Sequence, residues 1–189
     1  WYAPAMNLHR SPFAGRNFEY YSEDPVLSGV MAGAASNGAA QFGLYTTHKH
    51  FALNDQEDSR VDNGIATFAN EQTIREIYLK PFEMAVKSVE MPVPYISDDQ
   101  GTWSEAAVGS SAVMSSFNRI GAVWAGGSRP LQTDVLRGEW GFEGFVISDF
   151  NLYPYMNPNQ SIYAGTDLTL TMAPSKSFYD TTSAQAVSD

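Results

Sequence analysis

Short apolar runs that each lead into a cluster of polar residues recur along this 189-residue chain. Residues 145–148 (Phe-Val-Ile-Ser) follow a glycine and are β-branched in the middle, which is typical of a short strand buried on both faces, as in a parallel sheet. The pattern predicts five strands in all, at residues 1–8, 42–47, 112–116, 145–148 and 165–171.

Apolar residues spaced three and four apart predict helices between these strands. Asp24-Pro25 is a good helix start, because Asp caps the N-terminus and Pro fits the first helical position; Gly38 is predicted to end that helix. Further helices are predicted at 71–78, at 81–89 after a restart at Pro81, at 130–140 between a Ser128 cap and Gly141, and at 175–189. Residues 91–111 carry two prolines and little periodicity, and are predicted to be a long loop.

Alternating strands and helices, with polar clusters at the carboxyl ends of the strands, indicate the α/β class, as a parallel barrel or an open sheet. A closed (β/α)8 barrel needs eight strands and roughly 250 residues. We therefore expect a partial (β/α)8 TIM barrel with about five of the eight strands. Residues 1–189 would form part of one catalytic domain, without a second domain.

Composition narrows the possible partners. Apolar residues make up 43% of the chain, which supports a folded globule. The net charge of −10 disfavours nucleic acid and anionic membrane surfaces. Neither a membrane-spanning run nor a signal peptide is expected, and with no cysteine present the compartment, cytoplasmic or secreted, stays open.

Asp149 is the main candidate for chemistry, because a carboxylate at the end of a buried strand is unusual as core and suits the mouth of a parallel sheet. The alternative is an Asp that caps the next element. His48-Lys49-His50 follows another predicted strand, and Arg16 and Arg60 could each be surface residues or grip hydroxyls. The acidic pairs Glu57-Asp58 and Asp98-Asp99 are expected to be solvated or to cap loops.

Several motifs occur together in a fixed order. They are Gly15-Arg16-Asn17-Phe18-Glu19 with Ser22 to Pro25, Lys49-His50-Phe51 with Asn54, Gln56, Glu57 and Arg60, residues 113–118, residues 131–142, and Val146-Ile147-Ser148-Asp149. Taken together, the chain resembles glycoside hydrolase family 3, in particular its β-glucosidase-type members. The resemblance covers nearly the whole chain and is weakest over residues 91–111 and the tail.

The resemblance implies hydrolysis of terminal non-reducing β-D-glucosyl or related residues with retention, through a covalent glycosyl-enzyme on Asp149. The positions that match the family's sugar-binding residues are Arg16, Lys49, His50, Arg60, Met114, Phe117 and Phe150. Basic neighbours are expected to keep Asp149 ionised. The resemblance also implies cis peptide bonds within Lys49-His50-Phe51, and no cofactor or metal.

Three departures from the family pattern matter. Phe117 stands where many relatives have a tyrosine that donates to the nucleophile, and Phe150 stands where a tryptophan is usual. The general acid/base residue is not assigned in this chain, nor are the remaining strands. The rest of the barrel and a second domain would have to come from the same parent or another chain, so the chain alone is expected to be inactive.

Two other classes stay open. A metal-dependent hydrolase on the same kind of barrel could use His48, His50 and Asp149, although such sites usually want more histidines. The chain could also be a non-catalytic, sugar-binding or structural piece. Arg60, where relatives specific for N-acetylglucosamine have a histidine, favours the glucosidase branch.

Overall fold

A computed structural model describes residues 1–60 and 63–171 of the chain. Its centre is a three-stranded parallel sheet in the order β1 (Thr47–Phe51), β5 (Ala112–Ser115), β8 (Phe145–Ile147). Single parallel bridges extend this sheet on both sides, from Ala5 to Lys49 and from Ile147 to Leu168. Parallel strands with helical connections confirm the α/β class, and these strands do not close into a barrel.

Helices and smaller sheets complete the described chain. The helices are α1 (Pro25–Ala40), α2 (Glu71–Thr73), α3 (Lys80–Ser88) and α4 (Pro158–Ala164), with π-helical segments at Ile74–Tyr78 and Pro130–Glu139 and 3₁₀ turns at Asn17–Glu19 and Ala125–Gly127. The remaining strands are β2 (Ala66–Thr67), β3 (Met91–Ile96), β4 (Trp103–Val108), β6 (Arg119–Ile120) and β7 (Val123–Trp124). Within the described ranges, no helix is both long and apolar enough to cross a bilayer.

Helix α1 begins as predicted and packs closely on α3. The Asp24 carboxylate accepts hydrogen bonds from the backbone N–H groups of Val26 and Leu27 at 2.7 and 2.9 Å, which confirms the cap. Gly29 allows the close approach, since a Cβ there would lie 2.9 Å from Met84 Cβ. The predicted end at Gly38 was wrong, because the helix continues to Ala40.

The first central strand is shifted from its predicted position. Residues 42–47 were predicted as the strand, whereas β1 is Thr47–Phe51 and Phe42 is 89% exposed. The prediction was wrong because β1 buries polar side chains, His48 and His50, that have partners inside the protein. The residues expected after this strand therefore lie within it.

The predicted loop at 91–111 is an antiparallel hairpin of β3 and β4. Asp98 accepts from the backbone N–H groups of Gln100 and Thr102, both at 3.0 Å, so its predicted role as a cap is confirmed. The two prolines that argued against a strand are tolerated because a two-stranded ribbon has a free outer edge.

Other boundaries also differ. The predicted strands at 1–8 and 165–171 are reduced to the single bridges at Ala5 and Leu168. Helix α4 was missed, although Asn157 caps it and Gly165, at φ 105°, ends it. The Ser128 cap was wrong, because the segment Pro130–Glu139 starts without a side-chain cap. The predicted helix at 175–189 lies outside the described residues.

Candidate active site

Asp149 lies immediately beyond the carboxyl end of β8. Its side chain is largely buried, and its backbone N–H donates to Ser115 O at 3.2 Å, which ties it to the neighbouring strand β5. Oδ1 accepts from the Phe150 N–H at 2.7 Å, whereas Oδ2 is buried and has no hydrogen-bond partner among the described residues. One oxygen is therefore fixed and the other is free to act.

Burial raises the pKa of Asp149 above its usual value. The Phe150 N–H and the charges of Arg16, Arg60 and Lys49 each lower the pKa, but together they do less than burial. The basic neighbours favour the ionised form, as expected, although burial sets the net direction of the pKa shift. The free oxygen belongs to a carboxylate that water does not stabilise, which makes it more basic.

His50, in β1, lies close to Asp149, with Nε2 3.7 Å from Asp149 Oδ2. Burial, and then the charges of Arg16, Lys49 and Arg60, hold the pKa of His50 well below its usual value, so the ring is neutral and the pair is not a salt bridge. Arg16 Nη2 lies 3.1 Å from Nε2, and because arginine can only donate, Nε2 must accept and the proton sits on Nδ1. Nε2 carries a lone pair and no proton, so it cannot donate a hydrogen bond to Asp149. This explains why Oδ2 has no partner among the described residues.

Three cations and two carboxylates form a connected cluster around His50. Arg16 pairs with Glu19 at 2.6 Å and with Glu57 at 3.4 Å, and Lys49 Nζ lies 3.9 Å from Glu19. Arg60 pairs with the other oxygen of Glu57. Glu57 is thus a structural partner of two arginines, so its expected role as a solvated loop residue was wrong.

Polar residues from three segments hold His50 in place. Asn7 forms two hydrogen bonds with the His50 backbone, donating to its C=O at 2.9 Å and accepting from its N–H at 2.8 Å. Tyr20 OH lies 3.3 Å from Nδ1, and Asn54 donates to that hydroxyl at 3.2 Å. Asn7 and Tyr20 were not predicted as site residues, because nothing in their local pattern shows that they meet β1.

The predicted site residues are not all equally close to Asp149. Arg16, Lys49, His50 and Arg60 lie in its electrostatic surroundings, and Phe150 is next to it in the chain. The Arg60 guanidinium stacks over the Phe117 ring at 4.2 Å from its centroid. Met114 is buried in β5, in register with Ile147. The Lys49–His50 peptide bond is cis, as expected from the resemblance, and so is the Phe51–Ala52 bond, just beyond the expected segment.

The two histidines of the metal alternative face different neighbours. His48 Nε2 lies 2.9 Å from Ser36 Oγ and its Nδ1 lies 3.1 Å from Ser110 Oγ, whereas His50 faces Arg16 and Asp149. The described ranges contain no cluster of three His, Asp or Glu side chains suited to a metal ion. The geometry thus gives the proposed His48–His50 ligand pair no support.

A cavity of about 520 Å³ lies elsewhere, lined among others by Arg10, Phe13, Asp55 and Phe68. Asp149 is not among its lining residues, so this cavity does not mark the reacting group. Burial raises the pKa of Asp55 in its wall to about 6.

Comparison with known proteins gives consistent matches. The model of the glycosyl hydrolase family 3 N terminal domain matches residues 1–188. Beta-glucosidase A of Butyrivibrio fibrisolvens is 40% identical over 170 residues, covering 90% of this chain and 18% of that protein. The beta-glucosidase of Ruminococcus albus is 40% identical over 147 residues, covering 78% of this chain and 13% of that protein.

A solved structure agrees with these relatives. Beta-glucosidase 3B from Thermotoga neapolitana in complex with glucose superposes with a TM-score of 0.75 at 40% identity, covering 96% of this chain and 22% of that chain. The chain spans about a fifth of the length of the proteins it matches. Since the family model covers almost every residue and the fold agrees, the chain belongs to glycosyl hydrolase family 3, within its N-terminal domain.

Proposed function

We propose that the chain carries the nucleophile and the first sugar-binding residues of a retaining β-glucosidase, with Asp149 as the nucleophile. The observation that carries the proposal is the asymmetry of the Asp149 carboxylate. One oxygen is fixed by a backbone N–H, and the other is buried next to a neutral histidine and three cations, with no hydrogen-bond partner in the part of the chain that the structure describes. The relatives' names, all β-glucosidases, support a glucoside as substrate.

In the first step, Asp149 Oδ2 bonds to the anomeric carbon, and the bond from that carbon to the leaving-group oxygen breaks. A retaining glycosidase needs a second, protonated carboxyl group about 5 Å from the nucleophile to protonate the departing oxygen. Water then bonds to the anomeric carbon of the glycosyl-enzyme, the bond from that carbon to Asp149 Oδ2 breaks to restore the carboxylate, and the second group takes the proton of the water. We assign no residue of this chain to the second role, so that group would lie elsewhere in the longer protein.

The cluster around His50, which we call the polar cluster, consists of Arg16, Lys49, Arg60, Glu19 and Glu57. It would hold the glucosyl hydroxyls. Arg16 and Lys49 supply charged donors, and Glu19, between them, can accept from a hydroxyl. Arg60 is oriented by Glu57 and by its stacking on Phe117. Because these charges are already paired before substrate binds, little reorganisation is needed, which favours tight and selective binding.

The wider architecture is proposed to be part of a (β/α)8 barrel. Five parallel strand positions follow one another in space, from Ala5 through β1, β5 and β8 to Leu168. Asp149 follows β8, whereas Lys49 and His50 lie within β1, near its carboxyl end, so both groups belong to the same end of the sheet, where barrel enzymes keep their sites. Residues 1–189 would supply part of this domain and the longer polypeptide the rest.

Trapping with 2-fluoro glucoside tests the nucleophile directly. In the full-length enzyme, a 2-deoxy-2-fluoro-β-glucosyl fluoride should label one peptide, and mapping should place the label on Asp149. Asp149→Ala should remove the label and lower kcat on the order of 10⁴-fold or more. Asp134→Ala, which changes an exposed aspartate on the π-helical segment, is the matched control and should keep both labelling and turnover. Label on any other residue would refute the assignment.

A further inference from the structure

The loop that follows Asp149 builds a run of aromatic rings. Tyr153 and Tyr155 are stacked, with ring centroids 5.7 Å apart and planes inclined by 7°. The ring of Phe117 meets Tyr153 edge-on, with centroids also 5.7 Å apart. These three residues, Phe117, Tyr153 and Tyr155, form a continuous surface that we call the aromatic wall.

The aromatic wall is held at both ends. Arg60 stacks on Phe117, and the Arg119 guanidinium lies 4.9 Å from the centroid of Tyr155. Tyr155 OH donates to Phe117 O at 2.8 Å, and a Cβ at Gly64 would come within 2.8 Å of Tyr155 Cζ. The central ring, Tyr153, is therefore fixed by its neighbours and needs little ordering when a ligand binds.

The aromatic wall stands beside the proposed nucleophile. Arg60, at one end of the wall, lowers the pKa of Asp149, and the charge of Asp149 in turn helps to raise the pKa of Tyr155. Phe150, whose N–H binds Asp149, packs against the same aromatic cluster. In the proposed function the polar cluster of Arg16 and Lys49 takes the glucosyl unit, so the leaving group extends toward the apolar residues.

The chemistry of this loop suits an apolar leaving group. Phe150, Leu152, Tyr153 and Pro154 are apolar or aromatic, and Leu152 is 56% exposed. Two polar groups of this loop are engaged, since Tyr155 OH donates to Phe117 O and the Asn151 amide donates to Met156 O at 3.1 Å. Of the two tyrosine hydroxyls in the wall, that leaves the one on Tyr153 to pair with a ligand, so most hydroxyls of a second sugar would lack partners here, whereas an aromatic ring needs only a ring to stack on.

We infer that Tyr153 is a specificity-determining residue on the leaving-group side, and that the enzyme selects β-glucosides whose leaving group is an aromatic ring over those whose leaving group is a sugar. The inference rests on the proposed function, because it places glucose on the polar cluster. It goes further by naming the class of leaving group and the residue that recognises it.

Binding of unreactive analogues to the wild-type full-length enzyme separates recognition from leaving-group reactivity. Phenyl 1-thio-β-glucoside should inhibit with a Ki about three- to tenfold lower than methyl 1-thio-β-glucoside and thiocellobiose, the range expected for one aromatic contact. Equal Ki values for the phenyl and methyl compounds, or tighter binding of thiocellobiose, would overturn the inference without requiring any variant.

Variants then test Tyr153 itself. Tyr153→Ala should remove the advantage of the phenyl compound and raise KM for an aryl β-glucoside by a similar factor, with little effect on cellobiose. Tyr153→Phe should keep the advantage of the phenyl compound and the wild-type KM for the aryl β-glucoside, because the ring remains. The matched control is Tyr163→Ala, which removes an exposed tyrosine on α4. It should leave KM unchanged for both the aryl β-glucoside and cellobiose. The Ki for glucose should stay the same in every variant, since glucose binds the polar cluster.

The outcomes distinguish the two proposals. Equal losses on aryl glucoside and cellobiose in Tyr153→Ala, or no loss on either, overturn the inference while leaving the β-glucosidase assignment intact. A wild-type enzyme that hydrolyses neither substrate refutes the proposed function, and the inference falls with it.

Discussion

The ionisation of Asp149 depends on two opposing effects on a single residue. Burial disfavours the ionised form, and the nearby cations favour it. Cations are visible in the sequence as Arg16, Lys49 and Arg60, but the depth of burial is not, because it depends on everything packed around the carboxylate. That is why the sign of the net pKa shift could not be predicted from the motif.

Phe117 illustrates a departure whose consequence was predicted. The absence of a tyrosine hydroxyl was expected to leave the nucleophile without one donor, and Asp149 Oδ2 indeed lacks a partner among the described residues. Instead of donating, Phe117 stacks under Arg60 and continues into the aromatic wall.

The pH profile should report the balance at Asp149. Its carboxyl group must be ionised to attack, and its folded-state pKa is raised, so the acid limb of kcat/KM should lie above the usual aspartate value of 3.8. In Lys49→Met one of the charges that lower this pKa is lost, so the limb should move to higher pH, in addition to any fall in kcat/KM.

The control for this profile is Lys87→Met, which changes a lysine paired with Glu83 on α3. Its acid limb should coincide with that of the wild type. A limb in Lys49→Met that stays in place, or moves to lower pH, would contradict the electrostatic role given to Lys49.

At the scale of elements, His48 joins three parts of the fold. It lies in β1, while its ring nitrogens face Ser36 on α1 and Ser110, just before β5. Its side chain is fully buried, and burial lowers the pKa of His48 to about 4. The sequence pattern predicted His48 to belong to a basic functional cluster. In the fold, its neutral ring instead links helix α1 to the sheet.

This buried ring should make stability depend on pH. The folded-state pKa lies below the unfolded value of 6.5, so protons bind the unfolded chain first, and the free energy of unfolding falls as pH drops from 6.5 toward about 4. The full effect is about 3 kcal/mol, from 1.36 kcal/mol per pKa unit. In His48→Gln this part of the pH dependence should disappear.

Urea unfolding at pH 7 and pH 4.5 measures the effect as the difference between wild type and His48→Gln. The comparison is needed because Asp55, whose pKa is raised to about 6, changes stability in the opposite direction over part of the same range. Identical pH dependence in the two proteins would show that His48 is not held neutral in the fold.

Element boundaries show where sequence patterns were sufficient. The start of α1 was predicted because the Asp24 cap and Pro25 act within a few residues. The Asn157 and Gly165 signals of α4 are equally local and were overlooked. The position of β1 could not be read in this way, because its buried residues are polar and their partners come from distant segments.

At the scale of the whole molecule, large apolar side chains remain on the surface. Phe13, Phe18, Phe42 and Phe68 are each at least 80% exposed. Exposed apolar side chains mark contact surfaces where they form a contiguous patch. Because the chain spans about a fifth of the length of its relatives, we propose that these side chains contact other parts of a longer polypeptide.

Residues 1–189 expressed alone should therefore show no measurable hydrolysis of an aryl β-glucoside, because the proposed mechanism needs a second carboxyl group, a role to which we assign no residue of this chain. Co-expression with the rest of the polypeptide should restore turnover. The same co-expression with Asp149→Ala should not, which separates a catalytic part from a binding or structural one. Robust activity of the isolated chain would contradict the prediction.

The sequence by itself determined the class of the fold, the family resemblance and which aspartate is proposed as the nucleophile, because these depend on local periodicity and on short motifs. Only the tertiary structure decided which oxygen of Asp149 lacks a partner among the described residues, that His50 is neutral, that His48 is structural, and that Tyr153 lies in an aromatic wall. These features arise from contacts between residues tens of positions apart, and burial and hydrogen-bond partners exist only once the chain has folded.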